Sequence, residues 1–355
     1  MSLFHRIIKK DMEDIYIMIG TDLHRLEGKS ILITGAGGLL ASYLVYTVVF
    51  LNREVFKTPC LLYVMTRRPA KDYERLWWLD NEPYTKNIIH DVASHYHLEV
   101  PMDFVMHAAS LASPVDYMGD IIGTINANAR GLQHLLDHAC QNEDTLLLFF
   151  SSGEIYGSPP PDQVPTHETY LGSVDPVGTR SCYTESKRFG ETLCAAYHAV
   201  HNTQAKIVRP FQVFGPGISD KDKRAFPEFL HCAVKKQPIV LRSEGKAQRT
   251  FCYISDAAVA FWKVLFEGRP AFPYNVGTSA PLVTIHELAK KIAELGNVNI
   301  ETKISAENSY LDDSPQVTCP DIGRISQLVG SKPKKTLDEG IHLTLEWLRD
   351  QRRVR

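Results

Sequence analysis

The sequence predicts an α/β protein with a doubly wound parallel sheet and a smaller C-terminal α/β domain. Three observations carry this. Short runs apolar on both faces recur with helical patterns between them, the first run ends in a glycine-rich turn, and beyond Pro210 the alternation loosens into segments punctuated by proline and glycine.

Taken in order, residues 1 to about 28 have the periodicity of an amphipathic leader helix, expected to pack on the sheet edge. Strands are predicted at SILITG (30–35), LLYVMT (61–66), DFVMHAA (103–109), TLLLFFSS (145–152) and AKIVRP (205–210). The run LLASYLVYTVVFL (39–51) is too short to cross a bilayer as a helix and reads as a buried core helix. Later, PIVLRS (238–243) reads as a strand, and helices are expected near 285–295 and 337–350. The stretch TFCYISDAAVAFWKVLF (250–266) is expected to return to the first domain. The division is therefore 29–210 with 250–268 as a dinucleotide-binding domain, and 211–249 with 269–355 as a substrate domain.

With 44% hydrophobic and 23% charged residues over 355 positions, the chain has the composition of an ordinary globular core. A formal net charge of -2 offers no basic field, so neither nucleic acid nor a membrane is an expected partner. Seven cysteines, at 60, 140, 182, 194, 232, 252 and 319, form an odd set without a C-x-x-C pair. That favours a reducing compartment over a disulfide framework. The first twenty residues carry acids within their apolar periodicity and no small-residue cleavage site, so a cytoplasmic location is expected. No histidine or cysteine spacing suggests a metal site.

The strand ILIT runs into GAGGLLASYL, which sets Gly35 and Gly38 at a strand-to-helix turn and Ala41 where a third small residue is wanted. Such a turn lets backbone N–H groups and a helix N-terminus approach a pyrophosphate, the signature of a Rossmann-like nucleotide site. The second strand ends in VMTRRPAK, without the acid that would bond a ribose 2′-hydroxyl. Arg67 and Arg68 instead suit a 2′-phosphate, so NADP is expected over NAD. Asp91, in HDV, is a candidate for an adenine amino group. In CYTESKRFGE, Tyr183 and Lys187 lie four residues apart on one helical face. A free tyrosine titrates near pH ~10, and a neighbouring ammonium is expected to pull it down so that Tyr183 serves as a base. Ser152, at a strand end, can share the same substrate hydroxyl.

The pieces TGAGGLLASYL, HAASLASPVDYM, SSGEIYG, YTESK, RPFQVFGPG, QRTFCYISDAA and YNVG, in this order, resemble the extended short-chain dehydrogenase/reductases that modify nucleotide-diphosphate sugars. ASLASPVDYM and ETYLGSVDPVGTRSCYTESKRFGETLC look most like UDP-glucuronate decarboxylases. The resemblance implies that Tyr183, assisted by Ser152, deprotonates the sugar C4 hydroxyl as hydride passes to the nicotinamide, while Lys187 binds the nicotinamide ribose. It implies Ala108 and Asn128 near the cofactor, Ser113, Arg180, Gln212 and Arg249 around the substrate, and His107 at a strand end beside the cofactor. It also implies a homodimer, with the Tyr183 helix presenting Phe189, Leu193, Ala196 and Tyr197 as an apolar stripe. Arg209 admits either a site role or an ion pair.

The chain also departs from these relatives. Related dehydratases carry Asp-Glu where Gly153-Glu154 stands, and decarboxylases carry a hydroxyl residue at the glycine. Gly153 cannot donate a proton, which disfavours 4,6-dehydration and leaves Glu154 for proton transfer at C5 or for orienting a ring hydroxyl. Gln212 replaces the more usual asparagine, and PQVTCPDI (315–322) lacks an arginine often used on the diphosphate. A decarboxylase on a nucleotide-linked uronate is the first reading, a 4-ketoreductase or 4-epimerase the second. Intact Ser152, Tyr183 and Lys187 argue against a non-catalytic regulator.

Overall fold

The structure, a computed structural model, describes residues 5–98, 100–178, 180–304 and 315–354. Residues 1–4 of the expected leader and 305–314 of the expected second domain lie outside the described residues. The centre is a parallel sheet. Its strands are β1 (Ser30–Thr34), β2 (Leu61–Thr66), β3 (Thr85–Ile89), β4 (Phe104–His107), β5 (Leu146–Phe150), β6 (Gln204–Pro210) and a seventh, Pro273–Val276. Starting from the seventh strand, the spatial order is β6, β5, β4, β1, β2, β3, all parallel. The order reverses between β1 and β4, and the carboxyl ends of the strands at such a switch point are where open sheets of this kind bind ligands.

Alternation along the strands builds two cores. Ile31, Ile33, Met106, Leu148 and Phe150 face one layer of helices, while Leu32, Val105, Leu147 and Phe149 face the other. The first layer holds helix α2 (Leu39–Glu54) and the Ile254–Glu267 helix; the second holds the helices Leu132–Ala139 and Ser181–His201. The Ile254–Glu267 helix, from the 250–266 stretch, packs on β5 and β6. The seventh strand is a difference, because residues 273–276 fall in the stretch that the sequence assigns to the second domain. Tyr274, Asn275 and Val276 are buried there, and a strand beside β6 gives their backbone groups partners that a loop would lack.

Helix α1 (Arg6–Ile19) does not pack on the sheet edge as expected; it lies over α2 and the Ile254–Glu267 helix. The reason is α2 itself, buried at every position from Ala41 to Leu51. A helix apolar all round needs cover on its outer side too, and α1 supplies Ile8, Met12, Ile15 and Ile19. Asp11 is buried with them and accepts from the Tyr43 and Tyr253 hydroxyls at 2.8 and 3.0 Å.

The smaller lobe packs the Ala225–Lys235 and Ile285–Gly296 helices together, with the Leu337–Val354 helix against them. Thr284 and Glu287 form a capping box that starts the second of these. In the same lobe the short strands Gln248–Arg249, Val283–Thr284 and Val317–Thr318 form one small sheet, and Ile239–Leu241 pairs with Ile300–Thr302. Among the described residues, no helix is long and apolar enough to cross a membrane, and all seven cysteines are free.

Candidate active site

At the switch point the chain leaves β1 through Gly35, whose φ is +66°. A Cβ there would lie 2.6 to 2.8 Å from the backbone of Ala108 and Ala109 at the end of β4, so only glycine lets the two strand ends close. Gly38 begins α2 with no side-chain cap, leaving N–H donors for a ligand. Ala41 is buried one turn on. Fully buried Asn128 donates from Nδ2 to Ser186 Oγ at 2.9 Å, while its Oδ1 has no hydrogen-bond partner among the described residues. An uncapped helix start at a glycine turn beside an unmatched buried acceptor fits a dinucleotide. His107 is held between Thr34 Oγ1 and the Ala127 carbonyl. Burial pulls its pKa down to about 3, so it is a neutral packing group.

At the ends of the neighbouring strands β2 and β3 stand Arg67, Arg68 and Asp91, all exposed. The Arg68 guanidinium lies 4.9 Å from the centroid of the Tyr73 ring, and Asp91 Oδ1 accepts from the Ala93 N–H. These three stand at the ends of adjacent strands of the sheet.

The reacting centre is built at the end of β5. Ser152 is buried and accepts from the Glu154 N–H at 3.1 Å. Tyr183 stacks on Tyr117 at 5.2 Å, and Lys187 Nζ donates to the Phe150 carbonyl at 2.6 Å while lying 5.8 Å from the Tyr183 ring centroid. Ser113 is half-buried at the start of the Pro114–Gly119 helix that carries Tyr117. The expectation that Lys187 lowers the Tyr183 pKa is not met. Burial raises the phenol well above its ordinary value and the Glu154 charge adds to that, against a hydrogen bond from Ser152 and the charge of Arg224. Burial also brings Lys187 down to about 7, which weakens the ammonium the expectation relied on.

Glu154 is pushed up by burial and pulled back by Arg180, Arg224 and Arg249. Arg249 is tethered through the carbonyls of Gln248, Pro315 and Gln316, and burial lowers it to about 10. Arg180 donates to the Tyr117 hydroxyl at 3.3 Å. Arg224, which the sequence reading missed, pairs with Asp222 through Nε and Nη2. No motif surrounds it. Only the fold brings the start of the Ala225–Lys235 helix to Glu154 and Tyr183. Gln212 sits where the chain leaves β6, its buried Oε1 without a hydrogen-bond partner among the described residues.

Arg209 makes a two-pronged pair with Glu191 at 2.8 and 2.6 Å and donates to Tyr156 and the Glu168 carbonyl, so its side chain is engaged in an ion pair at the end of β6. A Cβ on Gly153 would fall 2.8 to 2.9 Å from three carbons of the Phe211 ring. Glycine stands beside Glu154 because the Phe211 ring fills the space of a side chain. Among the described residues no cluster of histidine, cysteine or acidic side chains could hold a metal ion.

Fold and site together define a dinucleotide-dependent short-chain dehydrogenase/reductase of the extended type. The profile of the NAD dependent epimerase/dehydratase family matches residues 31–277, and the chain belongs to that family. The UDP-glucuronic acid decarboxylase 5 of Arabidopsis thaliana is 34% identical over 316 residues, 89% of this chain and 88% of its own. The UDP-glucuronic acid decarboxylase 1 of Xenopus tropicalis is 31% identical over 329 residues, 93% and 74% of the two chains. Among solved structures, the UDP-glucose 4-epimerase of Thermotoga maritima, determined with UDP-glucose, superposes with a TM-score of 0.76 at 19% identity, covering 91% of this chain and 99% of its own. The UDP-glucuronic acid 4-epimerase of Bacillus cereus, in complex with NAD, gives a TM-score of 0.73 at 18% identity over 91% and 98%.

Proposed function

We propose that the protein converts a nucleotide-diphosphate uronate, with UDP-glucuronate the first candidate, into the corresponding pentose and carbon dioxide by way of a C4 ketone. The observation that supports this most is the charge at the reacting centre. Three guanidinium groups act on the one carboxylate of Glu154, while Asp222 is already paired with Arg224. A carboxylate on the sugar ring offsets that local excess of positive charge beside Glu154 more fully than an uncharged hexose ring does.

Gly35, Gly38 and Asn128 would hold a nicotinamide dinucleotide, which would supply reversible hydride transfer at C4. Tyr183 takes the C4 hydroxyl proton, and Ser152 bonds the same oxygen. Because the Tyr183 phenol lies above its ordinary pKa, its deprotonation needs positive charge close by, and Lys187, near 7, carries that charge in the lower part of the neutral range. With a ketone at C4 the uronate is a β-keto acid. The C5–C6 electron pair moves towards the ketone, carbon dioxide leaves, and a proton returns to C5. We assign that proton to Glu154, whose raised pKa suits a carboxyl that must hold and release one.

One observation favours a 4-ketoreductase or 4-epimerase instead. Arg67 and Arg68 at the end of β2 suit NADP, and a reductase must exchange spent cofactor. Incubation with UDP-glucuronate, UDP-glucose and UDP-galactose, each with NAD or NADP, and with a UDP-4-keto-hexose and NADPH, followed by mass spectrometry and chromatographic separation of C4 epimers, separates the readings. A product lighter by one carbon dioxide, from the uronate alone, is expected; reduction or inversion without mass loss of that kind contradicts the first reading.

A further inference from the structure

Between β2 and β3 the chain folds over the glycine turn instead of running straight to the next strand. The Tyr73 ring lies where a Gly37 side chain would be, 2.2 Å from the position of its Cβ. Two residues on, Arg75 reaches into the seam between the two lobes. Its Nη1 donates to the Gly37 carbonyl at 2.7 Å and its Nε to the Gly217 carbonyl at 2.5 Å. Its Nη2 makes no hydrogen bond among the described residues. Both bonds go to backbone carbonyls, which do not cancel the guanidinium charge; of the acids, Glu74 and Asp222 act on it through space, and Asp222 is shared with Arg224.

The guanidinium is also held in place before any ligand arrives. The Arg75 carbonyl accepts from the Tyr46 hydroxyl on α2, the Trp78 ring packs 5.9 Å from that of Tyr46, and Arg53 grips Glu82 through two bonds of 2.7 and 2.5 Å. Gly217, with φ at +96°, brings the second lobe against Leu39 at the start of α2, with Arg75 beside it. A half-buried, pre-oriented cation next to an uncapped helix N-terminus forms a site for a doubly anionic group.

We propose that Arg75 is a ligand of the dinucleotide pyrophosphate, completing from the opposite side the anion site that Gly35–Gly38 begins. This rests on the dinucleotide reading of the turn. It also makes the second lobe part of the cofactor site, since the same guanidinium holds Gly217, five residues before the Asp222 that orients Arg224.

The test is binding of NADH and NADPH, followed by nicotinamide fluorescence, in the parent and in Arg75→Gln and Arg75→Lys. Arg75→Gln weakens both dinucleotides by about tenfold or more, by equal factors, and its affinity depends less steeply on salt than the parent's. Arg75→Lys, which keeps a charge and loses the fork, falls between and supplies the measurement if the glutamine variant does not fold. Affinities within twofold of the parent for both dinucleotides would overturn the proposal. A loss confined to NADPH would overturn it as well, by moving the guanidinium to the 2′-phosphate beside Arg67 and Arg68. A parent that binds neither dinucleotide fails the cofactor reading, an outcome distinct from the failure of Arg75.

Discussion

Replacing Gly153 by alanine tests whether the Phe211 ring, and not backbone conformation, explains glycine beside the key carboxylate. Gly153 is not among the residues with positive φ, so alanine meets no backbone strain there and gains roughly 0.4 to 1 kcal/mol from a less flexible unfolded chain. Against that, the new methyl would stand 2.8 to 2.9 Å from three ring carbons, where carbon contacts settle at ~3.5 to 4.0 Å. The ring must move by the best part of an ångström, and overpacking of this kind costs about 1 to 3 kcal/mol. The expected balance is a loss of roughly 1 to 2 kcal/mol in urea unfolding. Phe211→Leu, which removes the ring edge, should couple with it, so that the double variant loses less than the sum of the two by on the order of 1 kcal/mol. A Gly153→Ala protein as stable as the parent, or strictly additive losses, would refute the account. The same contact explains why a dehydratase's aspartate cannot simply be installed at this position.

Three further outcomes are expected. Arg67→Ala with Arg68→Ala should abolish a parent preference for NADPH over NADH in equilibrium binding, and equal parent affinities would remove the basis for NADP. Asp11, raised from 3.8 to about 7 chiefly by burial, takes up a proton on folding between those values, so stability should fall as pH rises from about 4 to 7. Asp11→Asn should flatten that fall, which is on the order of 4 kcal/mol at most, in urea titrations across pH, and an unchanged slope would contradict the shift. We propose a homodimer through the Ser181–His201 helix, where Phe189 is 50% exposed, and the neighbouring Ile121–Asn126 helix, where Ile122 is 67% exposed. Sedimentation should show a dimer that Phe189→Glu disrupts, and a parent monomer at micromolar concentration would end the proposal.

The strands and the glycine turn were legible because their signals are local. Apolar runs, the spacing of Gly35, Gly38 and Ala41 after a strand and the four-residue spacing of Tyr183 and Lys187 need no knowledge of the rest of the chain. What was missed depends on contacts between distant segments. Arg75 and Arg224 are lone arginines in loops, and their importance comes from the meeting of two lobes. The direction of the Tyr183 shift was misread because sequence shows the neighbouring lysine but not the burial that outweighs it. The stripe of Phe189, Leu193, Ala196 and Tyr197 was read as one surface, whereas Leu193 and Tyr197 pack partly on their own core and Phe189 and Ala196 stay exposed. Helical periodicity identifies a face without naming what covers it.

The most direct test of a multi-step reaction on an anionic sugar is rapid mixing of the NAD-loaded protein with UDP-glucuronate, read in the reduced-nicotinamide absorbance band for the parent, Tyr183→Phe and Glu154→Gln. The parent should show a transient rise and decay that ends in the decarboxylated product. Tyr183→Phe should show no rise although dinucleotide affinity stays within about threefold, because only the proton acceptor is lost. Glu154→Gln should rise and then decay much more slowly than the parent, since C4 oxidation proceeds while the return of a proton to C5 is impaired. A rise in Tyr183→Phe comparable to the parent's, or a parent that shows neither the transient nor loss of carbon dioxide, would contradict the account.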